Sequence, residues 1–382
     1  MIYLDHAATC PIREPVWDVM SRLVGEADFN PASLHSPGGQ AAATLEAARQ
    51  EIAKALRTAR SDILFTGGGT QSDNLAVLGF ARAAGGARLL VSAVEHKAVL
   101  EAARRAGAEG AAVEVLPVDS TGWLDPRTLV DRLSGERDRP TLVSVMWANS
   151  EVGVVQPLRD LCDVAHRHGA FFHTDAVQAC GKVPVSLETV PADLLTATSH
   201  KLGGPVGIGL LARRGDIRLE PLAYGGSQER SMWPGTQNPI GAAGFAEALR
   251  LAISELPGSA ERWRGLQSEL HGRLSATIPD LAVHGGDAPE RLPHLLSVGI
   301  PGCDQAALLT ALDLAGIAVS AGSACASGAS TGSHVLEAMG VRPAGTYAVL
   351  RFSFGPSTTM EDIETAAGEV TKAVVRLRGS NP

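Results

Sequence analysis

Long apolar runs, basic clusters and paired cysteines are all missing from this chain. None of its apolar stretches approaches the roughly 20 residues that cross a bilayer, so membrane insertion is not expected. The closest approach to a basic cluster is Arg376-Leu377-Arg378, which reads as a solvated tail. With a net charge of -8, the chain lacks the basic face of a duplex binder, and direct nucleic-acid binding is not expected. Its cysteines are Cys10, Cys162, Cys180, Cys303 and Cys325. An odd number with no Cys-x-x-Cys spacing disfavours a disulfide framework and a thiolate zinc site alike. No metal is expected, and at least one thiol should be free in a reducing compartment. Met1 to His6 shows no basic segment followed by an apolar one, so a secretory signal is not expected and the cytoplasm is the expected location. Internal repeats and low-complexity blocks are absent too. So are the Gly-Lys-Ser/Thr of a nucleotide P-loop and the Gly-x-Gly-x-x-Gly of a dinucleotide site.

What remains is an ordinary globular composition over 382 residues, 45% hydrophobic and 19% charged. That length suits two domains, or one large α/β domain with additions. Short apolar strands alternate with helices through the first two thirds. Strands are expected at 63–65, 88–92, 112–116, 141–146, 170–173 and 194–196, with helices at 40–57, 75–84 and 98–105. Such alternation implies a mainly parallel sheet covered by helices on both faces. Near Pro257 the texture changes. A long amphipathic helix (260–278), strands at 294–300 and 348–354 and a closing helix (361–377) follow. We therefore expect a large α/β domain over 13–256. A smaller α+β domain is expected over 257–382, with residues 1–12 packed on it.

Three segments stand out chemically. Thr66-Gly67-Gly68-Gly69-Thr70 turns a strand into a helix, which points backbone N–H groups and a helix N-terminus at an anion, with the Thr70 hydroxyl beside them. A plain glycine turn explains the segment equally well. Asp175 follows the apolar strand Ala170-Phe171-Phe172, at the strand end where α/β folds place ligands; a helix cap would also place it there. Lys201 lies between small polar residues and Gly203-Gly204-Pro205, an unusual setting for a surface lysine, though a solvated loop lysine is the common fate. Pyridoxal phosphate needs these three parts together: a phosphate cradle, an amine to hold it and a carboxylate that keeps its ring nitrogen protonated. His96, after the strand ending at Ser92, could stack on such a ring or simply start a helix.

Taken in order, the motifs resemble the cysteine desulfurases, a group within the class V aminotransferases of fold-type I. They are Tyr3-Leu4-Asp5-His6-Ala7-Ala8-Thr9, Asn30-Pro31-Ala32-Ser33-Leu34-His35, the glycine turn, Glu95-His96-Lys97, Asn149-Ser150-Glu151, Asp175-Ala176-Val177-Gln178, Ser199-His200-Lys201, Ser320 to Cys325, and Arg351-Phe352-Ser353. The resemblance covers nearly the whole chain. It implies that Lys201 carries pyridoxal 5'-phosphate covalently, that Asp175 pairs with the ring nitrogen, that Gln178 bonds the ring hydroxyl and that His96 stacks on the ring. Gly69, Thr70, Thr198 and His200 would hold the phosphate, joined by Thr236 from the partner subunit of a homodimer. Asn149 and Arg351 would grip the carboxylate of L-cysteine, a task suited to a guanidinium fork.

By the same resemblance Cys325 is the nucleophile. It lies in Ala321-Gly322-Ser323-Ala324-Cys325-Ala326, whose small residues permit the travel that such a thiol needs. As thiolate it would take the substrate sulfur as a persulfide, leave alanine, and pass the sulfur to an acceptor. Iron–sulfur assembly, tRNA thiolation and DNA sulfur modification all fit as destinations. Three positions depart from the family pattern. Trp233-Pro234 stands where an arginine is usual, Ser150 replaces the second asparagine of Asn-Asn-Glu, and Pro356 replaces a basic residue. A selenocysteine lyase or another class V aminotransferase would use the same cofactor site. A sulfur-transfer scaffold with weak turnover is the alternative of a different kind.

Overall fold

The structure is a computed structural model that describes residues 1–135, 138–322, 332–342 and 345–379. In chain order its strands are β1 (Ile2–Tyr3), β2 (Ile63–Thr66), β3 (Arg88–Ser92), β4 (Ala112–Leu116), β5 (Thr141–Ser144), β6 (Phe171–Asp175), β7 (Leu194–Thr198), β8 (Gly209–Arg213), β9 (Ala282–Val283), β10 (Leu295–Pro301), β11 (Ile317–Ala318) and β12 (Tyr347–Ser353). Its α-helices are α1 (Glu14–Leu23), α2 (Ser36–Leu56), α3 (Gly69–Ala84), α4 (Lys97–Ala108), α5 (Pro126–Leu133), α6 (Leu158–Arg167), α7 (Pro239–Thr277), α8 (Gln305–Leu314), α9 (His334–Ala338) and α10 (Met360–Gly379).

The main sheet has seven strands in the order β2-β8-β7-β6-β5-β3-β4. Strands β4, β3, β5, β6 and β7 run parallel, while β8 is antiparallel to both of its neighbours. Because β8 reverses twice, β2 runs with the parallel set. The central strands are buried along nearly their whole length, as both-face coverage requires, so apolar continuity rather than alternation marks them. All the parallel strands end at one edge, and the segments after β2, β3, β5, β6 and β7 meet there. This is the edge where such sheets collect ligands.

A second core gathers around the antiparallel sheet β12-β10-β9, with Leu266, Leu270, Val298, Phe352 and Ile363 at its centre. Leu4 is buried in this core, and β1 pairs in parallel with β11. Helix α7 joins the two cores: Phe245 and Leu249 face the first, Leu266 and Leu270 the second. Pro257 lies inside this 39-residue helix. The change of texture near Pro257 therefore falls within one continuous rod. The helix expected from 260 starts earlier, at Pro239: Pro-Gly ordinarily ends a helix, whereas here packing at both ends sustains it.

The basic end of the chain also differs from expectation. Arg378 is no solvated tail residue: its guanidinium donates to Asp280 and to the Pro301 carbonyl, tying α10 to the second sheet. Among the described residues no helix is long and apolar enough to cross a membrane.

Candidate active site

A cavity of about 330 Å³ opens at the carboxyl edge of the main sheet. Gly69, Thr70, His96 and Asn149 line it, as do Asp175, Gln178, Thr198, His200, Lys201 and Arg351. Thus ten residues scattered from 69 to 351 share one chamber. Two expected residues are not on its wall. Thr236 is solvent-exposed, and Cys325 lies outside the described residues.

Each side chain is placed by identifiable bonds. Lys201 closes a short 3-10 turn after β7, and its Nζ donates to the carbonyls of Ala7 (2.8 Å) and Ala8 (2.6 Å). Behind it the buried ammonium of Lys182 donates to the Lys201 carbonyl at 3.1 Å, fixing the backbone from which the side chain departs. Gln178 also donates to Ala7, at 2.9 Å, so the N-terminal segment forms one wall. Asp175 ends β6, and its Oδ1 accepts the Val177 N–H at 2.8 Å. That bond is a local turn cap, so the capping and the ligand readings of Asp175 describe one geometry. Burial raises the Asp175 pKa, while His96, the Val177 N–H and Lys201 pull it down.

His96 caps α4. Its Nδ1 accepts the Ala98 N–H at 3.1 Å, which leaves the ring proton on Nε2. Burial, with help from Lys201, keeps the ring neutral below its ordinary range against the opposing pull of Asp175. At the glycine turn, Gly68 opens α3 with φ 152° and no side chain caps the helix, so its first N–H groups face the cavity edge. A Cβ on Gly69 would stand 3.0 Å from the Val177 methyl, tighter than ordinary contact. Thr198 donates to the Ile208 carbonyl at 3.1 Å, and His200 Nδ1 lies 3.1 Å from the Thr9 hydroxyl.

Arg351 is buried, with Nη1 donating to the Ser150 (2.8 Å) and Gly322 (2.7 Å) carbonyls and Nη2 to Asp5 (2.7 Å), while its Nε has no partner. Because Arg351 uses only the backbone carbonyl of residue 150, a serine there costs this contact nothing. Asn149 also differs from a simple ligand. Its Nδ2 donates to the Val94 carbonyl and its Oδ1 accepts from the N–H groups of Glu151 and Val152, so it clamps the turn that Arg351 leans on.

Four groups with no role assigned from sequence also shape the site. Asp73 and Glu95 are fully buried carboxylates whose pKa values are pushed well above normal, first by burial and then, among like charges, by Asp175. Glu95 Oε1 accepts the Met146 N–H at 2.5 Å, leaving Oε2 without a partner. His334 Nε2 donates to the Glu95 carbonyl, and Asp5 aims Arg351. Glu95 lies inside a motif quoted above and Asp73 three residues past the glycine turn, but nothing in a linear motif shows that Asp73, Glu95 and Asp175 share one chamber.

Buried neutral histidines give the fold a pH signature. Burial lowers His173 to about 3 and His6, His200 and His284 to about 4, and takes His294 well below its usual value. Below pH ~6.5 the unfolded chain binds protons at these rings and the folded chain does not, so stability falls with pH. The raised carboxylates Asp73, Glu95 and Asp175 act in the opposite direction but are fewer. The midpoint of thermal unfolding is therefore expected to fall steadily from about pH 6.5 to about pH 4, and a Tm series in buffers of constant ionic strength checks it.

This donor set fits pyridoxal 5'-phosphate. Hydroxyls, an imidazole and an uncapped helix end suit a dianion, and a buried carboxylate suits a ring N–H. An amine lies between them, with an arginine fork for the carboxylate of an amino acid. The family profile described as aminotransferase class-V matches residues 2–365. A putative cysteine desulfurase IscS 1 of Bacillus subtilis is 39% identical over 98% of this chain and 99% of its own. A cysteine desulfurase IscS of Dictyoglomus turgidum is 37% identical over 100% of this chain and 96% of its own. A solved NifS-like protein superposes with a TM-score of 0.90 at 31% identity, covering 98% of this chain and 99% of the other. With likeness of this extent the chain belongs to the pyridoxal-phosphate-dependent class-V aminotransferases and, within them, to the cysteine desulfurase family.

Proposed function

We propose that the chain removes sulfur from L-cysteine, giving L-alanine and a persulfide on Cys325 that passes to an acceptor protein. The observation that carries this reading is the single cavity holding Lys201, Asp175, His96 and Arg351. When bound, the cofactor supplies an electron sink that loosens the Cα proton of the amino acid. Gly69, Thr70, Thr198 and His200 would hold its phosphate, Gln178 its ring hydroxyl and Asp175 its ring nitrogen, while His96 would stack on the ring. Lys201 Nζ then takes the Cα proton and, as the ammonium, can return one, while the neutral His96 keeps its Nε2–H as a hydrogen-bond donor beside it. Arg351 holds the substrate carboxylate on an aim set by Asp5, with Asn149 bracing the turn beneath. Cys325 as thiolate attacks the substrate sulfur. The new S–S bond forms as the substrate C–S bond breaks, and its electron pair returns to carbon, which takes a proton to become alanine.

The other thiols support the choice of Cys325. Cys10, Cys162, Cys180 and Cys303 are buried, and burial raises all four, Cys162 and Cys180 to about 12. None of the four is a ready thiolate. We further propose a homodimer in the cytoplasm, with Thr236 reaching the phosphate in the partner subunit's site. We assign 13–256 to a large cofactor-binding domain and 257–382 with 1–12 to a small domain carrying Cys325 and Arg351. As destination we favour iron–sulfur assembly, supported by relatives that carry the IscS name.

The test is stoichiometric. Purified protein given L-cysteine and a reductant should release alanine and sulfide in equal amounts; release from selenocysteine alone, or a keto acid without alanine, would overturn the reading. Arg351→Lys keeps the charge but loses the fork. It should raise KM for L-cysteine by about 10²-fold while leaving the cofactor's absorbance unchanged. Steady-state kinetics beside an absorption spectrum checks this.

A further inference from the structure

The loop before Thr236 is strained, and its anchor is buried. Glu229, Arg230 and Ser231 follow one another with φ of 46°, 56° and 63°, a left-handed run of three residues of which none is glycine. Such residues are individually disfavoured and persist where the surroundings over-determine them. Here the surroundings are an ion pair. Arg49, on α2, donates through Nη1 to Glu229 Oε2 and through Nη2 to Oε1, both at 2.8 Å, with side chains only 5% and 2% exposed. The same carboxylate accepts the Phe65 N–H of β2 at 2.9 Å. It also accepts from Gln237 Nε2 at 2.5 Å, which closes the loop at its base. Arg49 is braced in turn by the Ile63 carbonyl, by Glu46 and by the ring of Phe65, 4.8 Å away.

Between these two tied ends the loop divides its residues. Met232 and Trp233 pack on the apolar cluster beneath the sheet, and Thr236 is left exposed. Trp233, one of the two residues that stand where an arginine is usual, thus serves as an anchor. We propose that Arg49 and Glu229 are positioning residues that hold the 230–236 loop, so that Thr236 projects from its own subunit at the angle that reaches the phosphate in the partner's site. This rests on the reading that Thr236 serves the partner subunit.

Heterodimers with one working site separate the possibilities. In the first arrangement Glu229→Gln is on the subunit that keeps Lys201, and the partner carries Lys201→Ala. In the second arrangement Glu229→Gln and Lys201→Ala share one subunit, and the partner is unaltered. Both contain the same substitutions once, so a general loss of stability affects them equally. Apo heterodimers are titrated with pyridoxal phosphate and followed by the violet absorbance of the Lys201 site. The proposal expects native affinity in the first arrangement and about ten-fold weaker affinity in the second, the loss of one hydrogen bond to a charged group. Equal affinities in the two, or weakening in the first alone, overturn it. Thr236→Ala in the same arrangements identifies the cause. If it weakens the second arrangement while Glu229→Gln does not, only the brace fails. If it has no effect, the cross-subunit reading fails with it.

Discussion

Lys201→Ala is expected to lower alanine formation from L-cysteine by at least about 10⁴-fold, because it removes the proposed covalent tether and proton acceptor together. In the structure the Nζ lies on the cavity wall against the Ala7 and Ala8 carbonyls, with its backbone carbonyl held by Lys182. A residue so placed has little freedom to be replaced by a neighbour. Lys182 faces the far side of the turn, and Lys97 stands at the cavity rim on another helix. Two readouts check the prediction: alanine by amino-acid analysis, and the violet absorbance of the purified protein. The variant should lose both. A variant that kept the native band and more than about one hundredth of the rate would move the tether to another amine.

Cys325→Ser should show the opposite split. The cofactor's absorbance is expected to be intact and to respond to L-cysteine, because Arg351 and the ring-binding residues are untouched. Sulfide release with a reductant should fall by at least about 10³-fold, since a hydroxyl at this position is neither ionised near neutral pH nor a sulfur acceptor. The same substitution at Cys10, Cys162, Cys180 or Cys303 acts only through packing, since each of these thiols is buried. Retained release by the Cys325 variant would point to direct elimination of sulfide from the substrate, without a protein persulfide.

Much of the architecture was legible in the sequence, for a physical reason. A parallel strand buried on both faces reads as a short apolar run, and Arg88–Ser92 and Thr141–Ser144 stand where such runs predict. Ends of helices were less legible. Helix α3 begins at Gly69, within the glycine turn, because N–H groups turned toward a ligand edge need no capping side chain. Strand β8, antiparallel within a parallel sheet, left no signal, since direction is not written in hydrophobicity. The continuity of α7 through Pro257 was likewise hidden, because burial at both ends outweighs one missing backbone bond.

At the site, the motifs identified the residues that line the cavity but not what each one holds. Asn149 clamps its own turn, Arg351 is paired with Asp5, and Glu95 faces the chamber as a carboxyl with a raised pKa. Partnerships of this kind join positions hundreds of residues apart, as Arg351 and Asp5 do, and exist only once the strands are in register. The brace from Arg49 to Glu229 belongs to the same class: neither residue lies in a recognisable motif, and their pairing appears only when α2 packs beside β2.

The proposed chemistry turns on where the sulfur goes. Wild-type protein incubated with L-cysteine, alkylated and digested, is mapped by mass spectrometry for a thiol that has gained one sulfur atom. The expected result is added sulfur on the peptide containing Cys325 and on no other, together with its absence in the Lys201→Ala variant. Sulfur on Cys10, Cys162, Cys180 or Cys303, or alanine formed with no protein-bound sulfur at all, would contradict it.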